Sequence, residues 1–349
     1  MPPHLVPTSG GPLTAKPIRM PLASRIASIL LACLFAFPAF AQPSQRGNQI
    51  VAISFDGAND LPQWERSRAL ARRTGASFTY FVSCVFLLTR KDRDLYHPPR
   101  HRVGASNIGF APSKEDVAWR LREIWTARLE GHDIASHGCG HFDAAKWSRK
   151  DWSAELGEVR KIFRDAWTVN DIPYEPARWR DFVRSGIVGF RAPYLSTSPG
   201  LDAALAENGF LYSASGVSRG PQMPFERGGL VQFSLPTVPE GPSDRRVIAM
   251  DYNLYVRHSH GKEDVAHAAE YEERAYSAFQ AAFQQQYDGE RIPLQIGFHF
   301  TLMNGGAYWR ALERFATDVC TKPDVECISY RDLAQRIQAE DIGQPAPAN

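Results

Sequence analysis

From residue 50 onward the chain alternates short apolar runs with longer stretches in which apolar residues recur at helical spacing. The runs at 50–55, 77–83, 132–136, 187–190, 247–250, 294–298 and 325–329 have the length and content of buried strands. Helical patterns occupy 61–74, 114–129, 148–169, 199–208, 263–287, 308–319 and 330–339. Strand then helix, repeated, is the pattern of a parallel sheet, and it predicts an α/β fold built as an irregular (β/α) barrel of seven strands. The polar stretch 89–113 and the Pro/Gly-rich stretch 215–246 are long for plain connections, so both are expected to be insertions that shape a substrate groove. Most tryptophans, Trp119 and Trp125 among them, are expected in the core at helical spacing. No internal repeat is apparent.

The pattern is different before residue 42. Residues 1–19 are rich in Pro, Gly, Thr and Ser, whereas Met20 opens a segment with Arg25, an apolar run over 26–40 and Ala39-Phe40-Ala41. This reads as a secretory signal peptide with translation starting at Met20 and cleavage after Ala41. The run is short for a membrane span and contains Pro38, and the lipid-attachment alternative at Cys33 sits poorly with an apolar run that continues past it. The expectation is a periplasmic or secreted protein in which 42–349 form a single domain, with no stable membrane insertion.

The formal net charge is +2, so nothing in the charge balance points to nucleic acid or an anionic membrane. Export implies an oxidising compartment, which bears on the four cysteines left after cleavage. Cys320 and Cys327 flank a turn and could pair, which would leave Cys84 with Cys139; two pairs of buried thiols are the alternative reading.

Candidate chemistry collects at the ends of the predicted strands, where barrels of this kind keep their sites. The first strand ends in Ser54-Phe55-Asp56-Gly57 with Asp60 shortly after, and the third runs into Ser136-His137-Gly138-Cys139-Gly140-His141. The fourth runs into Arg191-Ala192-Pro193-Tyr194, and the sixth ends at His299. Imidazoles four residues apart can meet one metal ion if the segment coils by a turn. His97 and His101 share that spacing, but Pro98 and Pro99 lie between them and no apolar strand leads in, so they read as solvated loop. His258 and His260, in a loop bounded by Gly261, read as solvent-facing or substrate-contacting. Tyr308 and Trp309, just after Gly305-Gly306, read as candidates for stacking on a sugar ring.

These motifs together resemble those of the polysaccharide deacetylases with a NodB homology domain, the fourth family of carbohydrate esterases. The resemblance spans residue 50 to about 339: Ser-Phe-Asp-Gly is similar to the family's first motif, Ser-His-Gly-Cys-Gly-His to its second, Arg-Ala-Pro-Tyr to its third and Gln-Ile-Gly-Phe-His to its last. It implies Asp56 as general base, His137 and His141 as metal ligands, Arg191 as the partner keeping the base ionised and His299 as general acid. It further implies Asp251 as the residue tuning that histidine and the Tyr194 backbone N–H as an oxyanion donor. The implied metal is divalent, zinc first, with cobalt, nickel, manganese and iron also suited to the donors.

One departure matters. Gly57 stands where the family usually has a second aspartate, its third metal ligand. Asp60 is the expected substitute, with Asp143 or Asp56 itself as alternatives; Asp60 also suits the N-cap of the helix that follows, because Pro62 lies in its first turn. The implied function is an exported, metal-dependent hydrolase of N-acetyl groups on amino sugars in a polysaccharide, peptidoglycan before chitin or poly-N-acetylglucosamine. The alternatives are a hydrolase of another amide or ester and a carbohydrate-binding domain without turnover.

Overall fold

The structure is a computed structural model that describes residues 47–339, so the expected leader lies outside the described residues. One sheet of ten strands organises them. At its centre β1 (Gln49–Gly57) is buried on both faces, which is why it reads as a continuous apolar run. It pairs in parallel with β9 (Leu294–His299) on one edge, and on the other with β10 (Val325–Cys327) low down and β2 (Thr79–Val82) higher up. From β2 the parallel ladder continues through β3 (Asp133–Ser136), β4 (Gly189–Phe190), β5 (Tyr212–Ser218) and β7 (Leu230–Glu240). Two antiparallel strands, β6 (Phe225–Arg227) and β8 (Arg245–Ile248), flank β7. The sheet then curls back, because the N–H of Gly297 in β9 donates to the carbonyl of Ala249 at 2.9 Å.

The described α-helices are α1 (Leu61–Thr74), α2 (Lys114–Leu129), α3 (Arg149–Val169), α4 (Trp179–Ser185), α5 (Leu201–Glu207), α6 (Asp251–Ser259), α7 (Ala268–Asp288), α8 (Ala307–Cys320) and α9 (Tyr330–Gln338), alongside four short 3₁₀ turns. The two-residue period of β1 divides its side chains between two cores. Val51, Ile53 and Phe55 pack outward in the larger cluster, which includes Trp64 of α1 and Trp309 and Phe315 of α8. Ile50 and Ala52 face the other way and meet Phe81, Ala135, Tyr212 and Phe233, together with Tyr330 and Leu333 of α9. Burial of each large side chain contributes about 1.5–3 kcal/mol. The interior is therefore apolar at the end covered by α9, and it turns polar along β1 at Ser54 and Asp56.

Residues 215–246 depart from the expectation of an insertion: they supply the end of β5, all of β6 and β7, and the start of β8. Pro236 and Pro239 disguised β7, yet its burial alternates over most of its length and its ladder simply changes partner, from β5 and β6 to β8. The predicted helix at 263–287 begins at Ala268 instead, and α4 and α6 form where the sequence pattern predicts no helix. Residues 89–113 do form an irregular excursion, tied at its base by a bridge between Thr89 and Ala111. Trp119 is corrected from core to surface at 56 % exposure, whereas Trp125 packs edge-on against Trp179.

Candidate active site

Register decides which side chains meet inside the barrel. Asp56 lies beside His299 across the β1–β9 pair and beside Phe81 across β1–β2. On β3 the inward series Asp133, Ala135 continues to His137, and Gly189 on β4 continues to Arg191. Gly189 is needed there, since a Cβ would lie 2.0 Å from the Tyr212 ring.

Arg191 is wholly buried and forks across the interior. Its Nη1 donates to Asp56 Oδ1 at 2.7 Å and Ser54 Oγ at 2.8 Å, its Nε to the Ala214 carbonyl at 3.0 Å, and its Nη2 to Tyr330 Oη at 3.1 Å. The guanidinium also stacks over the Phe81 ring, 4.2 Å from the centroid. Burial pushes the Asp56 carboxyl up, but the Arg191 guanidinium, joined at low pH by His137 and His299 once those imidazoles are protonated, outweighs burial and holds it below its ordinary value. Asp56 is thus a buried carboxylate kept ionised.

His137 accepts burial differently. Desolvation pushes its imidazole down to about 4, so it is neutral, and its Nδ1 donates to the Arg191 carbonyl at 2.8 Å. That bond fixes the tautomer and leaves Nε2 with its lone pair. Burial also lowers His141, whose ring centroid lies 5.1 Å from that of His137 and whose buried Nδ1 has no partner. His141 sits at φ 55, a left-handed conformation uncommon for a side-chain-bearing residue and here part of the site itself.

The loop carrying both imidazoles is held from outside. A Cys84–Cys139 disulfide ties it to the turn after β2, and the second pair, Cys320–Cys327, joins α8 to β10. Beneath it Glu155 of α3 is buried, accepting the Cys139 N–H at 2.7 Å and the Tyr96 hydroxyl at 2.9 Å. Tyr96 in turn accepts the Gly140 N–H at 3.0 Å. Burial raises the Glu155 carboxyl to about 7 despite these donors.

His299 faces Asp56 from β9. Burial pushes the imidazole down, but Asp251 accepts from its Nδ1 at 2.7 Å and from its backbone N–H at 2.8 Å, and the net displacement is upward. Asp251 is fully buried at the first residue of α6, where it also accepts the Tyr252 N–H. Asp56, Arg191 and His137 are thus joined by hydrogen bonds, His299 and Asp251 by theirs, and the two sets lie side by side across the β1–β9 register.

Other candidates lie elsewhere. Gly57 at φ 82 and Ala58 at φ 50 turn the chain out of the barrel, and Asp60 enters the helical layer beside Arg120, whose Nη2 donates to the neighbouring Asn59 carbonyl at 2.6 Å. Its side chain makes no cap bond to α1, contrary to the capping expectation. Asp143 is exposed and engaged by the Ser196 hydroxyl and the Ala145 N–H. Trp309 and Tyr308 are each 1 % exposed: Trp309 stacks on Phe55 and donates to the His299 carbonyl, so neither can stack on a sugar. His258 is likewise corrected from loop to core, buried between Glu240 and the Tyr308 hydroxyl, whereas His260 ends α6 in the left-handed region. His97 and His101 are exposed, as read. The exposed aromatics at the mouth are Tyr194, 4.6 Å from the His141 ring, and Tyr252, 6.0 Å from the His299 ring. Tyr252 had been missed, although it directly follows Asp251.

The fit of the implied metal can be judged from these donors. Two neutral imidazoles are suited to it, but among the described residues no group of three His, Cys, Asp or Glu side chains is placed to hold an ion. The described residues do not assemble the three-residue ligand set of a resident zinc site.

Searches against known proteins agree with the architecture. A polysaccharide deacetylase from Mycobacterium smegmatis superposes with a TM-score of 0.54 at 17% identity, covering 88% of this chain and 96% of that one. The fold is that of the polysaccharide deacetylases. A polysaccharide deacetylase from Pseudomonas aeruginosa PAO1 gives 0.51 at 14% identity over 85% of this chain and 93% of that one. The Puue allantoinase gives 0.50 at 15% identity over 85% and 92%. Neither a protein-family model nor a curated protein sequence matches the chain.

Proposed function

We propose that this protein is an exported hydrolase that removes N-acetyl groups from amino sugars of a polysaccharide, peptidoglycan first. The observation that carries the reading is the pairing of opposite perturbations across one strand pair: Asp56 is held ionised, with Arg191 the largest favourable charge, while His299, its neighbour in register, is shifted toward its protonated form by Asp251. Amide hydrolysis needs such a base and acid together. Binding alone needs neither, which argues against a carbohydrate-binding domain without turnover.

In this mechanism Asp56 takes a proton from the attacking water, and the developing oxyanion is met by the backbone N–H of Tyr194. His299 then gives its Nε2 proton to the leaving amine, while its Nδ1 stays bonded to Asp251. Arg191 orients Asp56 throughout. Tyr194 and Tyr252 replace Tyr308 and Trp309 as platforms for sugar rings, since both are exposed beside the reacting groups. The pattern at 20–41 supports export, and no described helix is long and apolar enough to cross a membrane.

A divalent metal, zinc first, would be met by His137 and His141, and with two protein ligands it is expected to be held more weakly than in a three-ligand site. The incomplete ligand set among the described residues favours a second reading, a hydrolase of another C–N amide bond. Mass spectrometry of N-acetylated glucosamine oligomers and muramyl-containing glycan fragments, incubated with and without zinc, separates these. Products lacking one acetyl group are expected. Unchanged oligomers in every condition would overturn the deacetylase reading.

A further inference from the structure

The excursion at 89–113 lines a half-open cavity of about 1120 Å³ against the loop that carries His141. Its floor is Phe142 and Asp143, the two residues that follow His141, and its walls include Arg90, Arg93, His101 and Arg102. The excursion is fastened to the imidazole loop itself: Asn107 Nδ2 donates to the His141 carbonyl at 2.9 Å, and the Asn107 N–H to the Gly140 carbonyl at 2.9 Å. The cavity therefore adjoins the loop that carries His141, close enough in sequence for one extended substrate to reach both.

The electrostatics are one-sided. Arg90 and Arg102 have no ion-pair partner among the described residues, and Arg93 has one exposed contact, to Asp94 at 3.5 Å. The cavity's single carboxylate, Asp143, already accepts from Ser196 and Ala145. His101 lies flat on Phe142 with centroids 3.8 Å apart, which makes a rigid planar surface beside the guanidiniums. Elsewhere the protein's arginines are largely spent on ion pairs, as with Arg68, Arg310 and Arg314.

We propose that this cavity is a binding site for a carboxylate carried on the glycan next to the sugar being deacetylated. Guanidinium pairs bind planar carboxylates in a two-pronged geometry, and the stacked His101–Phe142 surface suits the face of the attached sugar. The substrate class is thereby an acidic N-acetylated glycan, bearing either a lactyl or peptide carboxylate, as on muramyl sugars, or a uronate. The proposal rests on the deacetylase reading for the second half of the molecule and on the cavity's own charge for the first.

The test measures binding by calorimetry, and acetate release alongside it, for a neutral N-acetylglucosamine oligomer, a muramyl-containing oligomer and a uronate-containing N-acetylated oligomer. Wild type is compared with Arg90→Gln/Arg102→Gln, two exposed positions whose substitution leaves the barrel intact. We expect at least one acidic oligomer to bind more tightly than the neutral one, with the advantage shrinking as salt rises. In the double variant that oligomer should lose about tenfold or more in affinity, with the neutral oligomer unchanged. The acidic oligomer that responds identifies the source of the carboxylate. Equal binding of neutral and acidic oligomers by wild type, or an advantage that survives the double substitution, would overturn the proposal. Charge-dependent binding with no acetate released from any oligomer would instead overturn the deacetylase reading and leave the cavity's assignment standing.

Discussion

Replacing Arg191 with Met tests the idea that the interior is built to hold Asp56 ionised. The substitution leaves Asp56, 4 % exposed, as an uncompensated buried charge, which costs about 3–5 kcal/mol. It also removes the hydrogen bonds that Arg191 donates to the Ser54 hydroxyl, which keeps its bond to the Ile296 carbonyl, and to the Ala214 carbonyl, at about 0.5–1.5 kcal/mol each. Asp56→Asn in the same chain removes the unpaired charge, so the double variant is expected to be about 2–3 kcal/mol more stable than the sum of the singles. Chemical denaturation of the four proteins at neutral pH measures this coupling. The pH dependence supplies a second reading of the same pair. In wild type the depressed Asp56 contributes stability above its ordinary value near 3.8, and this is lost as pH falls through the lower folded value. Without Arg191 burial prevails, the folded carboxyl moves up, and the Asp56 contribution is lost as pH rises instead. Additive singles, within about 0.5 kcal/mol, together with an unaltered pH slope, would refute the reasoning.

Three further outcomes follow from the site. Asp251→Asn removes the charge that raises His299, so the alkaline limb of the kcat/KM profile should move to lower pH while the acid limb, set by Asp56, stays in place; a shift of the acid limb alone would contradict the assignment. The same substitution removes stability that in wild type is present below the ordinary histidine value near 6.5 and lost as pH rises through the higher folded value. Glu155→Gln keeps the shape beneath the His137–His141 loop but no longer offers a carboxylate to the Cys139 N–H and the Tyr96 hydroxyl, so kcat should fall about tenfold with KM little changed, and hydrogen exchange at 138–141 should quicken. Elemental analysis should find zinc that leaves on dialysis and returns on addition, and His137→Ala should abolish that return; zinc retained through dialysis would mean that a third ligand exists.

Much of the fold could be read from sequence because the parallel strands are buried on both faces and so stand out as uninterrupted apolar runs. The candidate side chains were legible for a related reason: in such a sheet the strand ends face a common mouth, and Asp56, His137, Arg191 and His299 each stand directly after an apolar run. β7 was not legible because its two prolines mimic loop composition, and only its pairing change from β5 and β6 to β8 accounts for them. Asp60 misled because four-residue spacing brings side chains together on a helix, whereas here two consecutive positive-φ residues, Gly57 and Ala58, redirect the chain first. Tyr308 and Trp309 follow a glycine pair, which suggested a surface loop. They in fact begin α8, whose inner face covers β1. Tyr96 and Glu155 are 59 positions apart in sequence, and they meet the imidazole loop at Gly140 and Cys139 across 44 and 16 positions, so they leave no local pattern to detect.

The central claim is that Asp56 is the base of an acetyl-removing reaction. The most direct measurement is acetate release from N-acetylated glycan oligomers by wild type and Asp56→Asn, at matched zinc content and with folding verified by circular dichroism. The account predicts a folded variant whose kcat/KM falls about 10²–10⁴-fold, the usual contribution of a general base. A folded Asp56→Asn protein that releases acetate at the wild-type rate would contradict it.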